Sequence, residues 1–416
     1  MQVRSMRFLD RWAGIPISIV LTGVRKLDDL FRRPLDKPPS RIVIIKLVEQ
    51  GATVIAAPAI KRAIEMVGRD NVFFAVFVEN RPILDLLNLI PAENVISIRN
   101  DSLFAVAADT LRAIFRLRRE NVDTAVDFEF FSRFSGALTF LSGARRRIGF
   151  HSYSGEAGYR GDLMTHRVAY NIRLHASATY RMLIDAISVD GGQLPTLGFS
   201  PVVDEPAPVF VPSAKDVARV RSMLAERFGG RQPSRLVLLN ANAGDLLPLR
   251  RWANERYAEL ANRLLDHDPQ LSIALTGSKG ERPGAETLVS AVASNRCVNV
   301  AGDTTLEELF ALYSESEVMV TNDSGPAHYA TLTDIDVVTL FGPESPDVFG
   351  ARSDRSHLIW AGLACSPCVN AFNQRVTACT NNLCMQSISV DAVFEKVTSV
   401  LARRSVESIA IETPAA

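Results

Sequence analysis

Two series of short, nearly continuous apolar runs, each run followed by an amphipathic stretch, constrain this chain more than any other feature. From Arg41 the runs are RIVIIKL, NVFFAVFV, NVISI, DTAVDF and RRRIGF; from Arg235 they are RLVLLN, LSIALTG, CVNVAG, EVMVTN and DVVTLFG. Strands that are apolar on both alternating faces have no solvent side, so they belong to parallel sheets covered by helices on each face. Their crossovers are right-handed. A Pro-rich stretch, residues 191–212, with Pro195, Pro201, Pro206, Pro208 and Pro212, breaks the rhythm and reads as a linker. A chain of 416 residues exceeds one ordinary core. The expectation is two doubly wound α/β domains, residues 41–190 and 213–403, with segments 1–40 and 404–416 outside them. In the second domain, helices are predicted near 252–265, 282–294, 306–314 and 325–331.

The sequence TNDSGPAHYA, residues 321–330, lies between two of these runs. It reads as strand, turn, helix: Asn322, Asp323, Ser324 and Gly325 form the turn, and Pro326 occupies a first-turn position whose N–H would be unpaired anyway. Free backbone N–H groups at the positive end of a helix suit a phosphate or diphosphate. Asp and Ser are also ordinary helix caps. The neighbouring strand closes on FGPESP, residues 341–346, so two loops end adjacent strands on the same side of the sheet.

These blocks, together with RIVIIKLVEQGATVIAAPAI (41–60), LLPLRRW (246–252) and the cysteine cluster after Cys365, resemble glycosyltransferase family 9, the heptosyltransferases that add sugars to lipopolysaccharide cores. The resemblance runs from about residue 41 to 400. It implies a GT-B type fold, two Rossmann-like domains facing across a cleft, with the acceptor on the first and the nucleotide sugar on the second. The implied activity is inverting transfer from an ADP-heptose-like donor to a lipopolysaccharide-core or other lipid-linked acceptor, with no cofactor required. A nucleotide-sugar epimerase of the same architecture and a non-catalytic sugar-nucleotide scaffold are the alternatives.

Such a transfer needs a carboxylate to take the acceptor proton and positive groups to hold the departing diphosphate. For the second need, the resemblance points to Ser324 and Gly325 and to Arg250 and Arg251. Arg250 stands two places before Trp252, where the family carries a basic residue, and a guanidinium offers a bidentate fork. Asn240, Asn242 and Gly244 follow a strand where a nucleotide loop is expected, and they are equally good turn formers. Glu281 matches a family position associated with the donor ribose; an exposed helix-start Glu is the competing account. Asp323 and His328 are expected at the donor sugar and phosphates, and they are the fallback candidates for the base.

The first need exposes a departure. Many family members carry Gly-Asp after the first strand, that Asp serving as base, whereas here Gly51 is followed by Ala52. Glu49, two residues before Gly51, is the candidate replacement, and Lys46 in the same block would offset acceptor phosphate charge.

Cys365, Cys368, Cys379 and Cys384 are spaced C-x2-C-x10-C-x4-C. Four thiolates so spaced satisfy the arithmetic of a structural zinc site and, less well, of an iron–sulfur site. Two disulfides or plain reduced thiols are the other readings, and a cytoplasmic setting argues against the disulfides.

Charge bears on partners. Lys plus Arg balances Asp plus Glu at 46 each, so no global field favours nucleic acid. Residues 1–41 nevertheless hold nine basic residues against four acids. Within them WAGIPISIVLTGV, residues 12–24, falls short of the roughly 20 residues a membrane span needs. It reads as an interfacial anchor at the inner face of the cytoplasmic membrane, with Trp12 and the aliphatic side chains entering the lipid boundary, or as a helix packed on the protein's own core.

Overall fold

The structure is a computed structural model, describing residues 8, 10–31, 37–200, 208–244 and 247–412. Arg4, Arg7, Arg32, Arg33 and Asp36 of the basic segment, Pro201 and Pro206 of the linker, Leu246, and residues 413–416 of the tail lie outside them. The chain divides into two compact units. One comprises Met1–Pro206 with Val369–Thr377, the other Ala207–Cys368 with Ala378–Ala416.

The first unit is built on six parallel strands: β1 (Ile42–Ile45), β2 (Val72–Phe77), β3 (Val95–Ile98), β4 (Thr124–Asp127), β5 (Arg146–Phe150) and β6 (His166–Val168). Their order is β3-β2-β1-β4-β5-β6. Central β1 pairs with both β2 and β4, Ile42 standing opposite Val72 and Thr124. Every residue of β1, β2 and β4 is buried, as a sheet covered on both faces demands. Its helices are α1 (Gly14–Phe31), α2 (Gln50–Ile55), α3 (Ala57–Val67), α4 (Arg81–Leu87), α5 (Leu103–Arg119), α6 (Arg133–Leu141) and α7 (Ala176–Asp185). The strand order turns back between β1 and β4, so right-handed crossovers put α2–α4 on one face and α5 and α6 on the other. Serine side chains cap two of these starts: Ser102 accepts from the Ala105 N–H and Ser132 from the Ser135 N–H.

The second unit repeats the plan with β7 (Arg235–Asn240), β8 (Leu271–Leu275), β9 (Cys297–Asn299), β10 (Val318–Asn322), β11 (Asp336–Phe341) and β12 (Ser356–Trp360), in the order β12-β11-β10-β7-β8-β9. Its helices are α8 (Ala214–Arg227), α9 (Asn254–His267), α10 (Arg282–Val292), α11 (Leu306–Ser314), α12 (Gly325–Ala330), α13 (Pro346–Phe349), α14 (Leu383–Gln386) and α15 (Val390–Glu412). The core joins Val237, Leu239, Ile273, Val320 and Leu340 of the sheet to Leu260, Leu264, Val393 and Val397 of the helices. Burying each such side chain stabilises by about 1.5–3 kcal/mol.

Two strands escape the sequence pattern. β6 has only three residues, and β12 is an edge strand with no fully buried residue. Neither is a continuous apolar run.

The amino-terminal stretch forms α1, with Pro16 in its first turn, where a missing N–H costs little. One side docks on its own unit: Ser18 is fully buried, Arg25 reaches Asp162 at 2.8 Å, and Gly161 lies so close that a Cβ there would sit 3.0 Å from the Ser18 carbonyl. The other side leaves Trp12, Ile17, Ile19, Val20, Val24 and Leu27 exposed. No helix among the described residues is long and apolar enough to cross a membrane.

Candidate functional site

In an open parallel sheet, ligands bind beyond the carboxyl ends of the strands where the order reverses. In the second unit that point lies between β7 and β10. Asn322, the last residue of β10, stitches the two strand ends together. Its Nδ2 donates to the Ala241 carbonyl (2.9 Å), while its Oδ1 accepts from the Trp252 backbone N–H (3.0 Å) and the Tyr257 hydroxyl (3.2 Å). The motif residues Asn322 and Trp252, far apart in sequence, therefore fix one another.

Asp323 and Arg250 are both buried here, and so is Glu344 of the FGPESP loop. The Arg250 Nη1 stands 3.7 Å from an oxygen of each carboxyl, and its Nη2 donates to the Ala243 carbonyl at 3.0 Å. The two 3.7 Å contacts exceed hydrogen-bond length. Arg250 Nε and Asp323 Oδ2 are buried without a hydrogen-bond partner. Such atoms are rare in folded proteins and call for a ligand or water.

Burial, and next the Asp323 charge, push the Glu344 carboxyl well above the usual carboxylate range, against the pull of Arg250. Burial also lowers His328 to about 4, with Asp323 opposing and Arg250 assisting. Burial thus favours the protonated carboxyl of Glu344 and leaves the His328 imidazole uncharged at neutral pH. Glu344 was not among the expected site residues. Its only sequence signal is its place in a loop beside the DSG turn.

Ser324 precedes α12 in extended conformation without a side-chain cap bond, leaving the helix start to backbone N–H groups. At Gly325, a Cβ would come within 3.0 Å of the buried Tyr329 hydroxyl, so a larger residue there must displace that ring. Arg251 donates to the Gly244 carbonyl at 3.0 Å, and Gly244 has φ 62°. Asn240 donates to Thr276 Oγ1 at 3.2 Å. Asn242 and Thr276 line a small cavity of about 20 Å³ with Leu275, Asn254 and Gly284. Glu281 closes a capping box, accepting from the Ser278 N–H at 2.7 Å. The helix after Trp252 starts at Asn254, so Arg250 and Arg251 precede it on a short turn.

In the first unit the order reverses between β1 and β4. Lys46, fully buried after β1, donates to the Val48 carbonyl (2.7 Å) and to Glu129 Oε1 (3.2 Å). The same Glu129 oxygen accepts from the Leu47 and Val48 N–H groups at 2.7 and 3.1 Å, fixing the loop. Burial holds the Lys46 amine below its usual range; Glu129 opposes this and Arg375 adds to it. Asp127, fully buried at the end of β4, is pushed up by burial against its ion pair with Arg160.

Glu49 precedes α2 at φ 70°, ψ 90°, a conformation non-glycine residues rarely hold. Its Oε2 lies 3.7 Å from the Lys46 Nζ, and its Oε1 accepts from Arg375. Ala52 sits within α2. Lys46 and Glu49 are thus brought together, while Glu129 and Arg375 were invisible to sequence reading because they arrive from 80 or more residues away.

The zinc expectation needs correcting. Among the described residues, no three His, Cys, Asp or Glu side chains are placed to hold a metal. Cys365 and Cys379 are exposed, whereas Cys384 is buried against the end of β11, where a Cβ on Gly342 would lie 3.2 Å from its sulfur. Cys379 donates to the Asn381 carbonyl at 3.0 Å, and no disulfide links the cysteines among the described residues.

The model described as glycosyltransferase family 9 (heptosyltransferase) matches residues 111–376. Lipopolysaccharide heptosyltransferase 2 of Salmonella typhimurium is 31% identical over 159 residues, 38% of this chain and 45% of that protein. The chain spans about half the length of such curated relatives. Among solved structures, Escherichia coli ADP-heptose lps heptosyltransferase II superposes with a TM-score of 0.65 at 19% identity, covering 88% of this chain and 99% of that one. Escherichia coli heptosyltransferase WaaC with ADP-2-deoxy-2-fluoro heptose gives 0.56 at 18% identity, covering 86% and 99%. Both likenesses show the fold.

Proposed function

Because the chain belongs to glycosyltransferase family 9, we propose that it transfers a sugar, heptose by family default, from an ADP-linked donor to a lipopolysaccharide-core or other lipid-linked acceptor, inverting the anomeric centre. The observation that carries the reading is the second unit's switch point. There a buried guanidinium and a buried carboxylate each keep an atom without a hydrogen-bond partner, next to a helix start that offers backbone N–H groups. A nucleoside diphosphate sugar supplies what they lack: phosphate oxygens for Arg250 and sugar hydroxyls for Asp323.

In the proposed reaction the Glu49 carboxylate takes the acceptor hydroxyl proton. The oxygen attacks the anomeric carbon as its bond to the diphosphate breaks, and a single displacement inverts that carbon. Arg250, Arg251, Ser324 and Gly325 stabilise the departing charge. Neutral His328 contacts the donor, Asn242 and Glu281 the nucleoside, and Lys46 offsets acceptor charge. No step is assigned to a metal ion. The exposed apolar side of α1 between basic flanks fits a peripheral position at the cytoplasmic face of the membrane.

Thermal shift tests the donor. ADP at 100 times its Kd should stabilise the protein by about 2.7 kcal/mol, with GDP and UDP clearly weaker. An absent ADP shift, or equal shifts with all three, would sink the assignment.

A further inference from the structure

Segment Val369–Thr377 is the one part of the chain after Pro206 that belongs to the first unit, and it brings Arg375 onto Glu49. We propose that Arg375 is a positioning residue for Glu49, fixing one carboxylate oxygen so that the other faces the acceptor hydroxyl; this rests on the reading of Glu49 as the base.

The segment is built to hold that arginine. Val369 and Ala371 are buried, and the Phe372 ring packs 5.7 Å from Phe131 and 5.4 Å edge-on from Tyr170. Asn370 closes the turn: its Oδ1 accepts from the Phe372 N–H at 2.9 Å, and its carbonyl accepts from the Arg375 N–H at 3.1 Å. Gln374 and Arg375 have φ 54° and 56°, so both ends of the ion pair sit on backbone that side chains seldom adopt. A guanidinium on Oε1 and an ammonium 3.7 Å from Oε2 give the two oxygens different duties. Oε1 is committed. Oε2 keeps its hydrogen-bonding capacity for an incoming hydroxyl.

Arg375 also sets the pH range of the base. Among the described residues, the charged groups around Glu49 are Arg375, Lys46 and, behind Lys46, Glu129. The elements packed on α2 add Glu79, whose carbonyl accepts from Gln50, and the paired Arg181 and Asp185 of α7. A cation in contact stabilises the ionised carboxylate, so removing Arg375 raises the pKa of Glu49.

Full-length Arg375→Ala, Arg375→Lys and Glu49→Gln proteins, assayed for transfer from ADP-heptose across pH 5 to 8, test this. Arg375→Ala should lose about 10- to 100-fold in kcat and keep its donor KM within about twofold. Its acid limb should move up by about one unit or more. Arg375→Lys should recover part of the rate and most of the acid limb. An unshifted limb and unchanged kcat in Arg375→Ala, beside an inactive Glu49→Gln, would overturn the positioning role alone. Full turnover by Glu49→Gln would remove the base assignment and this inference with it. Should Arg375→Ala fail to fold, Arg375→Gln carries the same comparison.

Discussion

Glu344 makes the electrostatics of the donor-side cluster measurable. Burial, and next the Asp323 charge, raise the pKa of its carboxyl well above that of an exposed glutamate. Below about pH 4.5 the folded and unfolded chains both carry this proton. As pH rises, the unfolded chain releases it first, so folding stability falls until the folded carboxyl ionises. Glu344→Gln keeps shape and hydrogen bonding without the ionisation. Its advantage over the native protein should grow between pH 5 and 8 by at most about 1.4 kcal/mol per pH unit and vanish near pH 4. Urea denaturation across that range checks this, and a constant difference would show that Glu344 is ionised in the fold. Arg250, Asp323 and His328 could be named from the sequence because they lie on short motifs that resemble the family's, and the structure brings the three together. Glu129 and Arg375 could not, since each enters its site only through tertiary contacts.

At the scale of elements, α1 docks one side on its own unit and leaves the other, apolar side exposed, so the packed-helix reading of the stretch does not compete with the proposed lipid contact. Its polar positions dock: Arg25 pairs with Asp162 and Asp29, and Thr22 accepts from the Asp162 N–H at 2.9 Å. Just before it, Asp10 accepts from the N–H groups of Arg133 and Phe134 at 3.0 and 2.9 Å, satisfying donors at the start of α6. Deleting residues 1–36 should therefore destabilise the first unit by several kcal/mol, because buried Arg133 and half-buried Asp162 lose partners. Trp12→Ala with Val20→Asp alters only the exposed side. It should leave the melting temperature within about 2 °C while weakening sedimentation with anionic vesicles severalfold. Undiminished vesicle binding would remove the lipid role. Hydropathy showed the stretch to be apolar but could not show that its few polar residues face inward. The same limit hid β6 and β12, whereas the buried central strands announced themselves as unbroken apolar runs.

At the scale of the molecule, the linker does not separate the units cleanly, since Val369–Thr377 returns to the first. Residues 208–416 produced alone would carry Phe372 without Phe131 and Tyr170. That fragment should self-associate in size-exclusion chromatography with light scattering. Replacing 369–377 with a short Gly-Ser linker should restore a monomer that still binds ADP, because the donor-side groups all lie within the second unit. A monomeric unmodified fragment would show that the segment tolerates water. The alternation of runs placed two sheets in the sequence but could not reveal this return, which depends on aromatic contacts between distant residues. The return also orders events at the ribosome. The chain through Pro206 has emerged, with its sheet ready to fold, before the remaining 171 residues up to Thr377 are made. At about 5 to 20 residues per second that interval lasts on the order of 10 to 30 s. Until then Phe131 and Tyr170 lack the Phe372 ring, and Glu49 has no guanidinium. A nascent chain halted before Val369 therefore carries Glu49 without its ion-pair partner Arg375.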